Sequence, residues 1–347
     1  MLKNARFRNF TTTPNASWTF APGLNVVIGE NGLGKSHVLK AIYSLLKVQS
    51  GKNVELTKTA LEKAYADKLM AVMRPEALGR LVKRKQGRDR CELELTMTNA
   101  AQSCAIGFAT NAKSQVDVSS VPTAPLALPP VYLPTRELVT LCPWFVPLYE
   151  NYHVEFEEAW RDTVSLLGAP SIKGPREKTV AALLEPLEAA INGKVVVDGP
   201  TGRFYLQVPG EGRMEMPLVA EGLRKIAMLA RLISTGVLLE QGYLIWDEPE
   251  TNLNPRLIKT VARSIVELSK RGIQVFIATH SLFLLRELEM LAEEETFRNV
   301  KSRYFALKNT PDGVLLEQGA RIDDLQTLTL LDEELHQADR FIGTEEV

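Results

Sequence analysis

Tyr243-Leu-Ile-Trp-Asp-Glu-Pro-Glu-Thr-Asn-Leu-Asn-Pro255 is the stretch on which the reading of this chain turns. Its apolar opening stops abruptly at Asp247-Glu248. A short apolar run that ends in turn residues reads as a buried strand, here one that delivers two carboxylates to the edge of a sheet. One carboxylate can hold a metal and the next can polarise a water. The pair gains meaning from a second stretch far upstream, Gly29-Glu-Asn-Gly-Leu-Gly-Lys-Ser36, which fits the phosphate-loop pattern in full. Its glycines let backbone N–H groups turn toward phosphate oxygens, and the helix that follows adds partial positive charge. Gly29, Glu30, Asn31, Gly32, Leu33 and Gly34 supply this cradle. Lys35 is expected to reach the β- and γ-phosphates and Ser36 to ligate Mg²⁺. Asp247 is then expected at the same Mg²⁺, and Glu248 at the attacking water. A glycine turn and an acidic helix cap are the simpler readings of each stretch taken alone. Together the two stretches point to a nucleoside triphosphate held with Mg²⁺ and hydrolysed.

The flanking sequence agrees. Leu24-Asn-Val-Val-Ile28 is a β-branched run between Pro22-Gly23 and Gly29, and after Ser36 the residues Val38, Leu39, Ile42, Leu45 and Leu46 recur at helical spacing. Asn254 suits a helix N-cap, Pro255 the first helical position and Gly272 the helix end. Ile273–Thr279 reads as a second buried strand, ending in His280, which is placed to hydrogen-bond a γ-phosphate. From 217 onward the pattern predicts a helix over 223–240, a strand over 243–246, a helix over 255–271 and a strand over 273–278. A helix over 281–292, a strand pair over 302–317 and a helix over 322–337 follow. Alternating strands and helices argue for a mostly parallel, covered sheet. In the middle, 55–86 and 137–192 read as largely helical. Hairpins are expected at 91–97 with 103–108 and at 194–197 with 203–208, and a short strand at 131–133.

The 347 residues carry a net charge of −1, so no global basic field draws the chain to nucleic acid or membrane. Three cysteines without metal-ligand spacing fit a reduced, cytoplasmic protein better than a disulfide scaffold or zinc site. No segment reaches the roughly 18 apolar residues of a membrane span. No signal core opens the chain, and no heptad run appears. Six basic residues fall between Arg80 and Arg90. Such a run is usually a solvated face, but it can contact nucleic-acid phosphates or an acidic partner.

These residues resemble the ABC-type ATPases, in particular the soluble RecF, SMC and OLD-like group rather than transporter subunits. The phosphate loop, the apolar strand ending in Asp247-Glu248, a turn at Thr251–Pro255 similar to a D-loop, and the strand ending at Thr279-His280 occur in that family's order. Phe7-Arg8-Asn9-Phe10 and Pro22-Gly23-Leu24-Asn25-Val26 are similar to the group's opening. The resemblance covers roughly 1–50 and 215–285. It implies an α/β fold: an ABC-type P-loop NTPase head with a mostly parallel core sheet, an antiparallel β subdomain and a helical insertion. The head is expected from 1–50 and 215–347, with 51–214 as an insertion of hairpins and helices. The resemblance also implies a homodimer in which each ATP is completed head-to-tail by the other subunit's signature loop. The matching stretch is Leu218–Lys225, where Ala220, Glu221 and Gly222, with Asn252 of the D-loop, are the expected nucleotide contacts. Ala220 stands where the family has serine. Val131–Glu137 occupies the place of the Q-loop without a glutamine, which leaves Thr135, Arg136 and Glu137 as alternatives. Relatives of this kind imply a separate effector, a nuclease or toxin, in antiviral defence. A RecF-like DNA-repair clamp is the alternative, and a scaffold that hardly hydrolyses is a further one.

Overall fold

The computed structural model describes the chain except residues 52–53, 85–86, 153, 172–176, 241, 327, 329–332, 334–335, 338 and 342–347. The first strands are β1 (Leu2–Arg8), β2 (Ala16–Thr19) and β3 (Leu24–Gly29), followed by helices α1 (Lys35–Val48) and α2 (Lys58–Met73). Next come β4 (Arg90–Met97), β5 (Cys104–Ala109), β6 (Asp117–Ser120) and β7 (Pro130–Leu133). Helices α3 (Phe145–Asn151), α4 (Glu158–Leu167) and α5 (Glu177–Ala190) precede β8 (Lys194–Val197), β9 (Phe204–Val208) and β10 (Gly212–Glu215). The C-terminal part runs α6 (Glu221–Ser234), β11 (Tyr243–Asp247), α7 (Pro255–Lys270), β12 (Gln274–Thr279), α8 (Leu282–Glu293), β13 (Ser302–Thr310) and β14 (Gly313–Gly319).

The six-stranded core sheet has the order β14-β13-β3-β12-β11-β7. Only β14 runs antiparallel to its neighbour; the other pairs are parallel. Side chains alternate faces along a strand, and here each face has its own core. Val26, Ile28, Leu244, Trp246, Val275 and Ile277 pack on one side with α6, α7 and α8. Val27, Ile245, Phe276 and Ala278 pack on the other with α1. Burial on both faces is why β3, β11 and β12 read as unbroken apolar runs. On the α1 side lies a five-stranded antiparallel sheet, β2-β1-β4-β5-β6. A third sheet, β10-β9-β8, joins the opposite core.

The expected α/β architecture is present, with differences in detail. The helix expected over 223–240 runs instead from Glu221 to Ser234, because Gly236 turns the backbone to φ +67° and a short 3-10 turn, Leu238–Glu240, follows. β6 and β10 are four-residue strands with mostly exposed side chains, too short and polar for an alternating signal. Residues 51–214 supply β7 to the core sheet and β4–β6 to the sheet of β1. The helix expected over 322–337 lies mostly outside the described residues, beyond the 3-10 turn Ile322–Asp324. The three cysteines are free and buried. Among the described residues no helix is long and apolar enough to cross a membrane.

Candidate nucleotide site

Ile28 pairs with Thr279 and Ala278 with Asp247, so β3, β12 and β11 end level with one another. The glycine loop, the Asp247-Glu248 turn and His280 therefore leave from one carboxyl edge of a parallel sheet, the edge where α/β folds place their ligands. In the loop, Gly34 is the residue before α1 and has φ +92°. An L side chain there would be strained, and its Cβ would come within 3.0 Å of Thr12 Oγ1. Leu33 is buried while Glu30, Asn31 and Gly32 are exposed at the rim. The Lys35 ammonium is buried inside the loop and donates to Gly29 O at 2.7 Å and Glu30 O at 2.9 Å. Burial lowers its pKa, opposed by Glu248, Asp247, Glu250 and Glu30 in that order.

Asp247 is the last residue of β11 and is buried. Burial raises its pKa, opposed first by the Ser36 hydroxyl beside it and then by Lys40. Tyr132 donates to Asp247 Oδ2 at 3.2 Å, whereas Oδ1 is buried without a hydrogen bond of full geometry. Glu248 has φ +45°, a costly conformation for a residue with a side chain. It is held there by its N–H to Ala278 O at 2.9 Å and by Thr251 Oγ1, which donates to Oε2 at 3.2 Å. The other carboxylate oxygen lies 3.1 Å from His280 Nδ1. Behind them Glu250, also buried, accepts from Thr279 Oγ1 at 2.6 Å and from the His280 N–H at 3.3 Å. Burial raises the Glu250 pKa. Gly29–Ser36, Asp247, Glu248 and His280, inferred from separate stretches, thus form one cluster.

Ala220, Glu221, Gly222 and Asn252 form a second group that shares the 248–252 turn. Ala220 precedes α6 and makes no side-chain cap; it and Glu221 are exposed. Gly222 lies so close to the turn that a Cβ would come within 2.5 Å of Asn252 O. Asn252 itself has φ +64°. Lys225, buried one turn further on, donates to Glu248 O at 2.7 Å and Thr251 O at 3.3 Å. Burial pulls its pKa down to about 8, against the pull of Glu250, Glu248, Asp247 and Glu221. Of the three Q-loop alternatives, Thr135 is half-buried, and Arg136 is exposed over the Trp160 ring at 5.4 Å. Glu137 is buried; it accepts from Thr140 Oγ1 at 2.7 Å and faces Arg224 of α6 at 3.3 Å.

Residues 85–86 of the basic run lie outside the described residues. Arg80 pairs with Glu76 and Arg90 with Asp117. The run is tied to the Asn9–Thr13 segment, since Thr11 N donates to Leu81 O and Lys83 N to Asn9 O. That segment in turn touches Gly34 through Thr12 and His37 through Thr11.

Sequence reasoning missed Glu250, Lys225 and Tyr132. Lys225 carried a usable signal: a cation on the stripe of Met228, Leu229 and Leu232, all buried. Tyr132 carried none, because one aromatic in a buried strand is ordinary core.

A family model described as "AAA domain, putative AbiEii toxin, Type IV TA system" matches residues 145–286. The match spans the signature stretch, Asp247-Glu248 and His280 but begins after the glycine loop. No curated protein matches by sequence. Among solved structures, an SMC head bound to the C-terminal winged-helix domain of ScpA is 12% identical, with a TM-score of 0.58, over 94% of this chain and 99% of its own. The Smc head from Pyrococcus furiosus with an extended coiled coil, bound to the C-terminal domain of ScpA, is 10% identical, with a TM-score of 0.54, over 100% of this chain and 99% of its own. At these identities the likeness is one of fold, that of the SMC head domain.

Proposed function

We propose that this chain binds ATP with Mg²⁺ and hydrolyses it as a dimer-gated switch. The observation that carries the reading is the cluster at one sheet edge: a buried ammonium in a glycine loop, a buried aspartate, and a glutamate 3.1 Å from a histidine. The Gly29–Gly34 backbone and Lys35 bind the phosphates. Ser36 and Asp247 hold Mg²⁺. Asp247 Oδ1, buried without a hydrogen bond of full geometry, and the Ser36 hydroxyl beside the same carboxylate suit the cation, which takes one or two protein oxygens and completes its shell with phosphates and water. When bound, Mg²⁺ neutralises charge on the β- and γ-phosphates. Glu248 orients and deprotonates the attacking water, and His280, hydrogen-bonded to it, reports the γ-phosphate.

In this reading Ala220–Gly222 and Asn252 complete the site of a second copy head-to-tail. Their attachment to the 248–252 turn through Gly222 and Lys225 supports coupling between the two sites. The head then comprises 1–50 and 215–347, with β4–β7 drawn from 51–214 and the rest of that segment as its helical and hairpin lobe. Such a switch has no output of its own, so its product is control of a separate effector in the cytoplasm. Defence against phage, beside a nuclease or toxin, is the role we favour, and the toxin–antitoxin wording of the matching family supports it.

The test is ATP turnover by purified protein, with Lys35→Ala and Glu248→Gln beside it. Turnover that Glu248→Gln abolishes while ATP binding persists is the expected result. Full turnover by Glu248→Gln would remove the water-activating role. A second reading, a RecF-like DNA-binding ATPase, is favoured by the link from the basic run to the loop that touches Gly34. It requires DNA-stimulated hydrolysis that fades steeply with salt.

A further inference from the structure

Tyr132 lies on β7, the edge strand of the core sheet, and is 1% exposed. β7 pairs with β11 in parallel, with Tyr132 opposite Ile245. Side chains of one strand alternate, so Ile245 and Asp247 share a face, and Tyr132 stands on that face with them. The shared face is the one packed against α1. An aromatic side chain is long enough to reach the diagonal neighbour two positions along the facing strand. The phenol does so, meeting Asp247 Oδ2 at 3.2 Å.

The chemistry of the contact has one direction. The phenol has an O–H to give, and a carboxylate oxygen can only accept it. Tyr132 is therefore the donor and Oδ2 the acceptor. An aspartate is otherwise broadly free about its last torsion, so a donor fixed at one oxygen settles where the other lies. The donor is itself fixed from both sides. Its carbonyl accepts from Thr163 Oγ1 of α4 at 2.5 Å, and its ring meets that of Tyr43 on α1, with centroids 5.4 Å apart. The Tyr43 hydroxyl points elsewhere, donating to Asp162 Oδ2 at 2.6 Å.

The structure assigns Tyr132 the part of a positioning residue: its hydroxyl holds the Asp247 carboxylate by Oδ2 so that Oδ1 is presented to a divalent cation. The assignment rests on the ATP–Mg²⁺ reading of the site. It places the residue that trims the cation site on β7 itself, ahead of the Thr135–Glu137 segment.

Tyr132→Phe keeps the ring and its packing and removes only the donor. Binding of a fluorescent ATP analogue is titrated with Mg²⁺, and separately measured in EDTA. Partners of a metal ligand typically govern affinity by about 10- to 100-fold. Tyr132→Phe is therefore expected to raise the Mg²⁺ concentration for half-maximal binding about tenfold, with metal-free binding unchanged. Tyr43→Phe, which removes an equally buried phenol that does not touch Asp247, is expected to leave that concentration unchanged. An unaltered Mg²⁺ requirement in Tyr132→Phe, an equal rise in both variants, or a loss of metal-free binding overturns the assignment. Absence of ATP binding by the unsubstituted chain overturns the nucleotide reading instead, and the assignment with it.

Discussion

At the residue scale the site is a set of charges held out of water by specific partners. Lys35 is the clearest case: an ammonium inside a glycine loop, close to four carboxylates, Glu248, Asp247, Glu250 and Glu30. Lys35→Ala removes the ammonium that Gly29 O and Glu30 O hold inside the loop, so in the proposed reading binding of ATP should fall below detection by calorimetry while the fold persists. Lys225 is a different case, because its ammonium serves the backbone. Folded, it titrates at about 8; unfolded, at the ordinary 10.5. Between these values the unfolded chain keeps a proton that the folded chain has released. The stability contributed at this position therefore rises as pH climbs from about 8 to about 10.5, and the buried charge is a standing cost below that window. Lys225→Met abolishes the titration. Thermal unfolding should show the parent gaining stability relative to Lys225→Met between pH 7 and pH 10. A constant difference across that range would show that Lys225 is not buried as described.

At the scale of elements, the decisive contact is that of α6 with the 248–252 turn. Gly222 permits it, since a Cβ there would press on Asn252 O at 2.5 Å. Gly222→Val should push the start of α6 away and with it the loop that carries Glu248. Misplacement of a catalytic group by about 1 Å costs roughly 100-fold, so turnover should fall by that order with circular dichroism unchanged. The start of α7 offers a contrasting case. Asn254 caps it by accepting from Leu257 N at 3.0 Å, and Pro255 occupies its first position. Asn254→Ala should lower stability by about 1 kcal/mol in urea unfolding, with a smaller effect on catalysis. The caps of α7 were legible because they follow from a few adjacent residues. The end of α6 at Ser234 was not, because the helical pattern of apolar residues continues past the point where Gly236 turns the chain.

At the scale of the whole molecule, the proposed reading places two half-sites on the chain. One is the phosphate loop with its acidic turn; the other is the α6 start with Asn252. If a second copy completes each, Glu248→Gln with ATP should double the mass seen by light scattering, and ADP should return it to the monomer. A monomer at saturating ATP would leave the chain as an ATP-binding module without head-to-tail gating. The three-layer arrangement supports this division of labour. α1 and the antiparallel sheet stand on one face of the core sheet, and α6, α7 and α8 on the other. The two half-sites are thus served by helices from opposite faces.

The sequence by itself determined the strand–loop–helix at Gly29–Ser36, the strands that end at Asp247 and Thr279, and the residues at their tips. Each depends on backbone turns, caps and apolar runs that span only a few neighbours, so local chemistry suffices. What only the tertiary structure decided is which distant groups meet. Tyr132 reaches Asp247 because β7 pairs with β11 in one register, and a slip of one residue would turn it to the other face. Lys225 and Gly222 meet the 248–252 turn because α6 packs against the end of β11. Strand order and register are properties of the assembled sheet, set by burial on both faces at once, and no stretch of the chain carries them alone.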